Sequence, residues 1–197
     1  MKIYKDILQK SPEWFALKEG KMTASHAQAI GSNGKGLNTY IIELMSEYYS
    51  SGEEDNYTNK NMDRGNDLEP QARMIYELET GKTVEQVGFI EHNEFSGCSP
   101  DGLVDDGLME IKCQNDKIHF SHLLNGGKEI SSKYIWQMQM QMLVSGRKWC
   151  DFVSYNPNFK ESIFSVRITA DEEKHKKLLE GLKAGEEMIK NIKGRIK

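Results

Sequence analysis

Hydrophobic and polar positions fall into helical stretches early in the chain, short alternating runs in the middle and a long helix at the end. Ser11-Pro12 starts a short helix that carries Trp14, Phe15 and Leu17 and closes at Gly20. "TASH" opens another, with Thr23 or Ser25 as the cap. Residues 37–50 set Ile41, Leu44, Met45 and Tyr48 at helical spacing. The polar "SSGEEDNYTN" reads as an exposed loop. Residues 60–79 return to the helical period, with Leu68, Ala72, Ile75 and Leu78 on one face and Gly81 as the stop.

Alternation then takes over. "KTVEQVGFIEHN" reads as a strand, and "EFSGCSP", "GLVDD" and "LMEIKC" read as three short strands of a meander, split by Gly and Asp. The run "WQMQMQM" from Trp136 to Met142 also alternates, which argues for a strand. Gln and Met are helix formers, however, and no residue in the run is β-branched. Ile135, Met138, Gln139 and Met142 fit a helix face, and Gly146 is a natural stop, so the pattern predicts a helix over about 131–145. "KWCDFVSYNP" and "ESIFSVRIT" follow as two strands. An amphipathic helix from about Ala170 to the end carries Leu178, Leu182, Ile189 and Ile192. The order predicts one α/β domain over residues 1–197, a central mixed β-sheet flanked by helices.

Composition narrows the class. With 197 residues, 38% of them hydrophobic, the chain can build one core but not two full domains. A net charge of -4 carries no overall footprint for nucleic acid, although a local basic lining can sit inside an acidic protein. The three cysteines are odd in number and form no C-x-x-C pair, which speaks against a disulfide scaffold, a zinc site or an iron–sulfur cluster. The N-terminus lacks the apolar core of a signal peptide, and no apolar run approaches a membrane span. A soluble protein of a reducing cytoplasm is expected, with no membrane partner.

The stretch "SPDGLVDDGLMEIKC" carries the candidate chemistry. On a strand, Glu110 and Lys112 share one face while Met109, Ile111 and Cys113 point to the other. A hairpin through "VDDG" folds Asp101 back beside Glu110. Converging carboxylates repel unless a cation sits between them. Oxygen ligands select a hard cation, Mg²⁺ first and Mn²⁺ as a substitute. A lysine beside such an ion can orient or deprotonate a water and stabilise a pentavalent phosphate, which is the equipment of phosphodiester hydrolysis. The plainer reading is an exposed strand with alternating Glu and Lys after an ordinary Asp-Gly turn.

Pro100-Asp101 and Glu110-Ile111-Lys112 together resemble the signature of the PD-(D/E)xK nuclease superfamily. More narrowly, "EGKMTAS", "RGNDLEPQAR", "CSPDGL", "LMEIKC" and "WQMQMQMLV" occur in the order seen in the lambda-type phage exonucleases, or YqaJ-like viral recombinases. The resemblance spans about residues 11–168. It implies a restriction-endonuclease-like core and a Mg²⁺-dependent 5′→3′ exonuclease on double-stranded DNA ends, with two ions per site. It further implies release of 5′ mononucleotides, a 3′ single-stranded tail, a ring-shaped homotrimer and a single-strand annealing protein as partner.

By the same resemblance Glu69 completes the metal site with Asp101, Glu110 and the backbone carbonyl of Ile111. The alternative for Glu69 is an ion pair with Arg73 at i+4. Lys112 becomes the catalytic lysine. Gln137 holds that lysine, the water or the scissile phosphate, while Gln139 and Gln141 are expected to turn away from its face. Ser25 and Ser99 match positions that bind the 5′-phosphate, and Lys18 stands where the family usually has arginine, keeping a charge without the bidentate fork. Lys21 lies close enough to share that task. Arg64 and Arg73 are candidates for backbone phosphates or for a solvated helix face. His26, His92, His119, His122 and His175 are expected on the surface or in loops, Trp14 and Trp136 in the core, and "KHKKLLEGLK" on a solvated face. Three other readings stay open: a restriction-like or junction-resolving endonuclease on the same core, a non-catalytic DNA-binding module, and a cluster-bearing nuclease of the same superfamily.

Overall fold

The strands sort into two mixed sheets rather than one. The computed structural model describes residues 1–50 and 60–196. Strands β1 (Lys2–Tyr4), β2 (Met22–Thr23), β4 (Phe89–Asn93) and β5 (Ser96–Cys98) form a four-stranded sheet in the order β1-β4-β5-β2. Strands β3 (Val84–Glu85), β6 (Gly102–Val104), β7 (Gly107–Cys113), β8 (Trp149–Tyr155) and β9 (Ile163–Thr169) form a five-stranded sheet in chain order. The pairs β2–β5 and β7–β8 are parallel and the rest antiparallel. The expected class, α/β with mixed sheet flanked by helices, therefore holds, but its division does not.

"KTVEQVGFIEHN" is broken at Val87-Gly88 into β3 and β4, which belong to different sheets. The break is a close crossing. The Gly88 N–H bonds to the Tyr4 carbonyl at 2.9 Å, and a β-carbon on Gly88 would lie 2.2 Å from the carbonyl oxygen of Ile7. Of the expected meander only β6 and β7 are neighbours, because β5 pairs with β4 and β2 instead.

The helices are α1 (Pro12–Lys18), α2 (Ala27–Ser32), α3 (Lys35–Tyr49), α4 (Lys60–Thr80), α5 (Asp116–Asn125), α6 (Ser132–Ser145) and α7 (Glu172–Arg195). Ser11 caps α1 by accepting from the Trp14 N–H. Neither Thr23 nor Ser25 caps α2. A 3-10 turn at Ala24–His26 intervenes, and Thr23 precedes it without a side-chain capping bond. Apart from Ser50, "SSGEEDNYTN" lies outside the described residues.

In α4, Ala72 and Tyr76 are buried, whereas Leu78 is 76% exposed. At about 100° per residue, Leu78 sits roughly 120° around the helix from Ala72, while Tyr76 is only about 40° away. Gly81 ends the helix in the left-handed region at φ 69°. The expected helix over 131–145 is present as α6.

Both faces of the five-stranded sheet are covered. Leu108, Cys150 and Phe152 belong to a core shared with α2, α3, α6 and α7. Met109, Ile111, Trp149 and Val153 belong to a second core with Ala72 and Tyr76 of α4. Each large apolar side chain so buried contributes roughly 1.5–3 kcal/mol. Strand β7 thus separates two cores, and its polar residues sit where those cores run out.

Candidate active site

The site starts with the β6–β7 hairpin. Val104 pairs with Gly107, Leu103 with Leu108 and Gly102 with Met109. Only Asp105 and Asp106 connect the strands, with Asp105 in the left-handed region at φ 49°. One step past Gly102, Asp101 falls beside Glu110. Its Oδ2 accepts the Ile111 N–H at 2.6 Å. The hairpin expected through "VDDG" is the device that brings the two acids together.

Glu110 is 1% exposed. Its Oε1 accepts from the Lys112 ammonium and from Gln137 Nε2 at 2.6 Å. Its Oε2 accepts from Gln141 Nε2, also at 2.6 Å. The Lys112 ammonium lies 5.0 Å from the centre of the Tyr134 ring. Tyr134, Gln137 and Gln141 are three and four residues apart, so they occupy one face of α6. Gln141 therefore does not turn away from Gln137, as expected above. The i,i+4 spacing of Gln137 and Gln141 is the signal in the sequence that places them together. Gln139 does turn away. It bonds to the Thr169 carbonyl at 2.8 Å and accepts from the Asp171 N–H at 2.8 Å, tying α6 to the end of β9.

From the other side, α4 brings Glu69. Its Oε1 pairs with Arg73 at 2.7 Å, and Lys10 lies 3.9 Å from its other oxygen. The Arg73 guanidinium also reaches the Asp101 carbonyl at 3.5 Å. The i+4 ion pair weighed above is thus present, and Glu69 still faces the site. A cavity of about 510 Å³ is lined by Arg64, Glu69, Asp101, Ile111, Lys112 and Tyr134, among others. Arg64 lies on its wall and donates to the Cys113 and Gln114 carbonyls at 3.4 and 3.1 Å.

Charge is concentrated here. Burial pushes the Asp101 carboxyl well above the usual carboxylate range, Glu110 and Glu69 push it further, and Lys112 pulls it back. For Lys112, burial works against the charge, but Glu110 and Asp101 outweigh it and hold the ammonium above its ordinary value. Lys112 is therefore a firmly held cation in this arrangement, suited to donating and less suited to taking a proton.

Among the described residues no three Asp, Glu, His or Cys side chains are drawn together tightly enough to enclose an ion. Glu110 is taken up by its three donors and Glu69 by Arg73. The chemistry of the donor set nevertheless fits a hard divalent cation. Three carboxylates and the Ile111 carbonyl offer only oxygen, and their negative charge exceeds the single charge of Lys112.

The residues expected at a 5′-phosphate are only partly gathered. Lys18 and Ser25 line one cavity of about 900 Å³, with Lys21, Thr23, His26 and Tyr40. Ser25 Oγ is 3.1 Å from Thr23 Oγ1 and 3.2 Å from His26 Nδ1. The His26 ring stacks on Tyr40 at 4.0 Å. Ser99 bonds elsewhere, accepting from Trp14 Nε1 and donating to the Gly88 carbonyl, both at 2.8 Å. Trp14 links the two places, because the Lys18 ammonium lies 3.7 Å over its ring.

Two histidines depart from expectation. His119 and His122 are buried rather than at the surface. They lie on the face of α5 that packs against the sheet. His119 bonds to Ser154 Oγ at 3.0 Å and to the Glu161 carbonyl at 2.9 Å, and His122 packs edge-on against Phe152. No helix among the described residues is long and apolar enough to cross a membrane.

The hairpin thus sets an acid beside Glu-x-Lys under an acid-bearing helix, the arrangement that the resemblance to the PD-(D/E)xK nucleases implies. The profile of the YqaJ-like viral recombinase domain matches residues 13–148. An alkaline exonuclease from Laribacter hongkongensis is 38% identical, with a TM-score of 0.80 over 94% of this chain and 97% of that one. The same figures hold for that exonuclease in complex with dAMP. A phage-related exonuclease from Haemophilus somnus 129PT shares the fold at 19% identity, with a TM-score of 0.66 over 90% of this chain and 96% of its own. No curated protein matches the chain. The chain belongs to the alkaline exonuclease and YqaJ-like viral recombinase family of nucleases.

Proposed function

We propose that the protein is a Mg²⁺-dependent exonuclease that enters at the ends of double-stranded DNA and works 5′→3′. It releases 5′ mononucleotides and leaves a 3′ single-stranded tail for annealing-type recombination. The observation that carries this reading is the placement of Asp101, Glu110 and Lys112 side by side at one end of the β6–β7 hairpin, next to a cavity that Glu69 also lines. A 38% identical exonuclease with dAMP bound supports a mononucleotide product.

Glu69, Asp101, Glu110 and the Ile111 carbonyl would hold Mg²⁺ or Mn²⁺, two ions per site, which when bound stabilise charge on the phosphate and acidify a water. The chain's own residues do the rest. Lys112, held as a cation by Glu110 and Asp101, orients the attacking water and donates to the non-bridging phosphate oxygens as charge builds. Gln137 keeps Glu110 and Lys112 aligned through their shared oxygen. Arg64 on the cavity wall, with donors to spare beyond its two carbonyl bonds, can meet the strand backbone. Lys18 and Ser25 receive the 5′-phosphate in the cavity they share, and Trp14, under Lys18 and bonded to Ser99, couples that cavity to the segment leading into Asp101. A ring-shaped homotrimer that encloses DNA would let a chain of net charge -4 hold its substrate through a basic lining alone. A single-strand annealing protein in the host cytoplasm would take up the tail.

Duplex DNA labelled separately at its 5′ and 3′ ends tests the polarity. With Mg²⁺ present, the 5′ label should appear early as mononucleotide while the 3′ label stays in long strands. Early loss of the 3′ label would overturn the proposed direction.

A further inference from the structure

The geometry points to Gln141 as a positioning residue that decides which oxygen of Glu110 faces an incoming divalent cation. This rests on the metal-dependent reading above. Gln137 and Gln141 are one helical turn apart and straddle the carboxylate, one on each oxygen, at 2.6 Å each. They are not equivalent. Gln137 is half-buried and shares Oε1 with Lys112, a residue of the cavity wall. Gln141 is fully buried and alone holds Oε2. Oε2 is thus the inner oxygen and Oε1 the one presented toward the cavity.

A second observation shows that the amide is committed to this task. The Oε1 of Gln141 is buried with no hydrogen-bond partner among the described residues. Turning the amide over would set that oxygen against the Glu110 carboxylate, so only one orientation is open to it. One turn further on, Ser145 Oγ donates to the Gln141 backbone carbonyl at 2.7 Å and fastens the end of the helix beneath it. Without the Gln141 donor, the Glu110 carboxylate can rotate about its last torsion and turn both oxygens onto Lys112. That would neutralise the ligand and the lysine together.

Partners that orient a metal ligand change metal affinity by about 10–100-fold when removed. Gln141→Met keeps the length, removes the donor and suits a helix that already carries Met138, Met140 and Met142. The first readout is Mn²⁺ binding to the folded protein, followed by electron paramagnetic resonance and checked against the melting temperature. Q141M should bind Mn²⁺ about 10–100-fold more weakly. The Mg²⁺ concentration for half-maximal hydrolysis should rise in step, and duplex-end binding in metal-free buffer should stay within about two-fold of the parent. Should Q141M not fold, Q141N takes its place, since its shorter amide falls short of Oε2 and should show the same loss. Unchanged Mn²⁺ affinity in a folded variant overturns the inference while leaving the metal reading intact. Absence of Mn²⁺ binding by the parent protein overturns the metal reading itself, and the role of Gln141 with it.

Discussion

Replacing Lys112 with Met removes one cation from a buried cluster and should be felt in both stability and catalysis. Glu110 is 1% exposed and would be left with two amide donors, Gln137 and Gln141. Stripping a buried charge of its partner costs about 3–5 kcal/mol, but those amides remain, and one charge-assisted bond is worth about 1.5–3 kcal/mol. A loss of about 2 kcal/mol in metal-free protein follows. For a chain of this size that is a fall in melting temperature of about 4–8 °C. The deficit has a sign in pH. Asp101 already has a raised folded-state pKa, from burial and then Glu110, and losing Lys112 raises it further. An acid whose folded pKa is raised weakens the fold as pH climbs from the ordinary carboxylate range toward that value, so the K112M deficit grows with pH across that window and shrinks as pH falls. Hydrolysis of linear duplex should drop by about 10²–10³-fold, the effect of removing one donor to developing charge, while end binding persists. Scanning calorimetry at two pH values and a single-turnover assay read both. A variant that melts and cuts like the parent would refute the buried-cation argument.

Three further outcomes follow from the same contacts. Burial, then neighbouring His119, holds the His122 imidazole below its ordinary value of 6.5. Its neutral form costs nothing above that pH, and stability is lost as pH falls below it, because only the unfolded chain takes up the proton. His122→Leu should therefore flatten the decline in urea midpoint between pH 8 and pH 5.5, and an unchanged slope would contradict this. A β-carbon at Gly181 would lie 1.9 Å from the Ile30 carbonyl oxygen. Gly181→Ala should cost about 1–3 kcal/mol by forcing α7 off α2, seen as a lower melting temperature with turnover per folded molecule unchanged. Lys18→Ala or Ser25→Ala should erode the preference for 5′-phosphorylated over 5′-hydroxyl ends by about ten-fold or more, from charge-assisted bonding to phosphate. An unaltered ratio of the two rates would remove both residues from the phosphate pocket.

What the chain revealed in advance was whatever local physics decides. The two-residue link at Asp105-Asp106 sets the hairpin register, so the adjacency of Asp101 and Glu110 could be read from spacing alone. Helix propensity, not alternation, decided the run that became α6. The partition into two sheets could not be read this way. It depends on the N-terminal segment crossing at Gly88, a contact between residues 7 and 88 that leaves no periodic trace. The burial of His119 and His122 is equally non-local, since Ser154 and the Glu161 carbonyl, which bond His119, come from another part of the chain. Gln141 is legible, since its i,i+4 spacing from Gln137 places both on one helix face, against the expectation that it turns away. The likeness to the family identified the acids as a set, yet in the structure Glu69 is engaged with Arg73 and Glu110 with three donors. Bringing them onto an ion therefore requires Arg73 and the donors on Glu110 Oε1 to give way, while Gln141 keeps Oε2.

The most direct measurement places the purified protein with Mg²⁺ on 5′-phosphorylated linear duplex beside a covalently closed circle, with a chelator control. The account predicts steady loss of the linear DNA into mononucleotides, an untouched circle, and no hydrolysis once the metal is removed. Cutting of the circle, or hydrolysis that survives chelation, would contradict it.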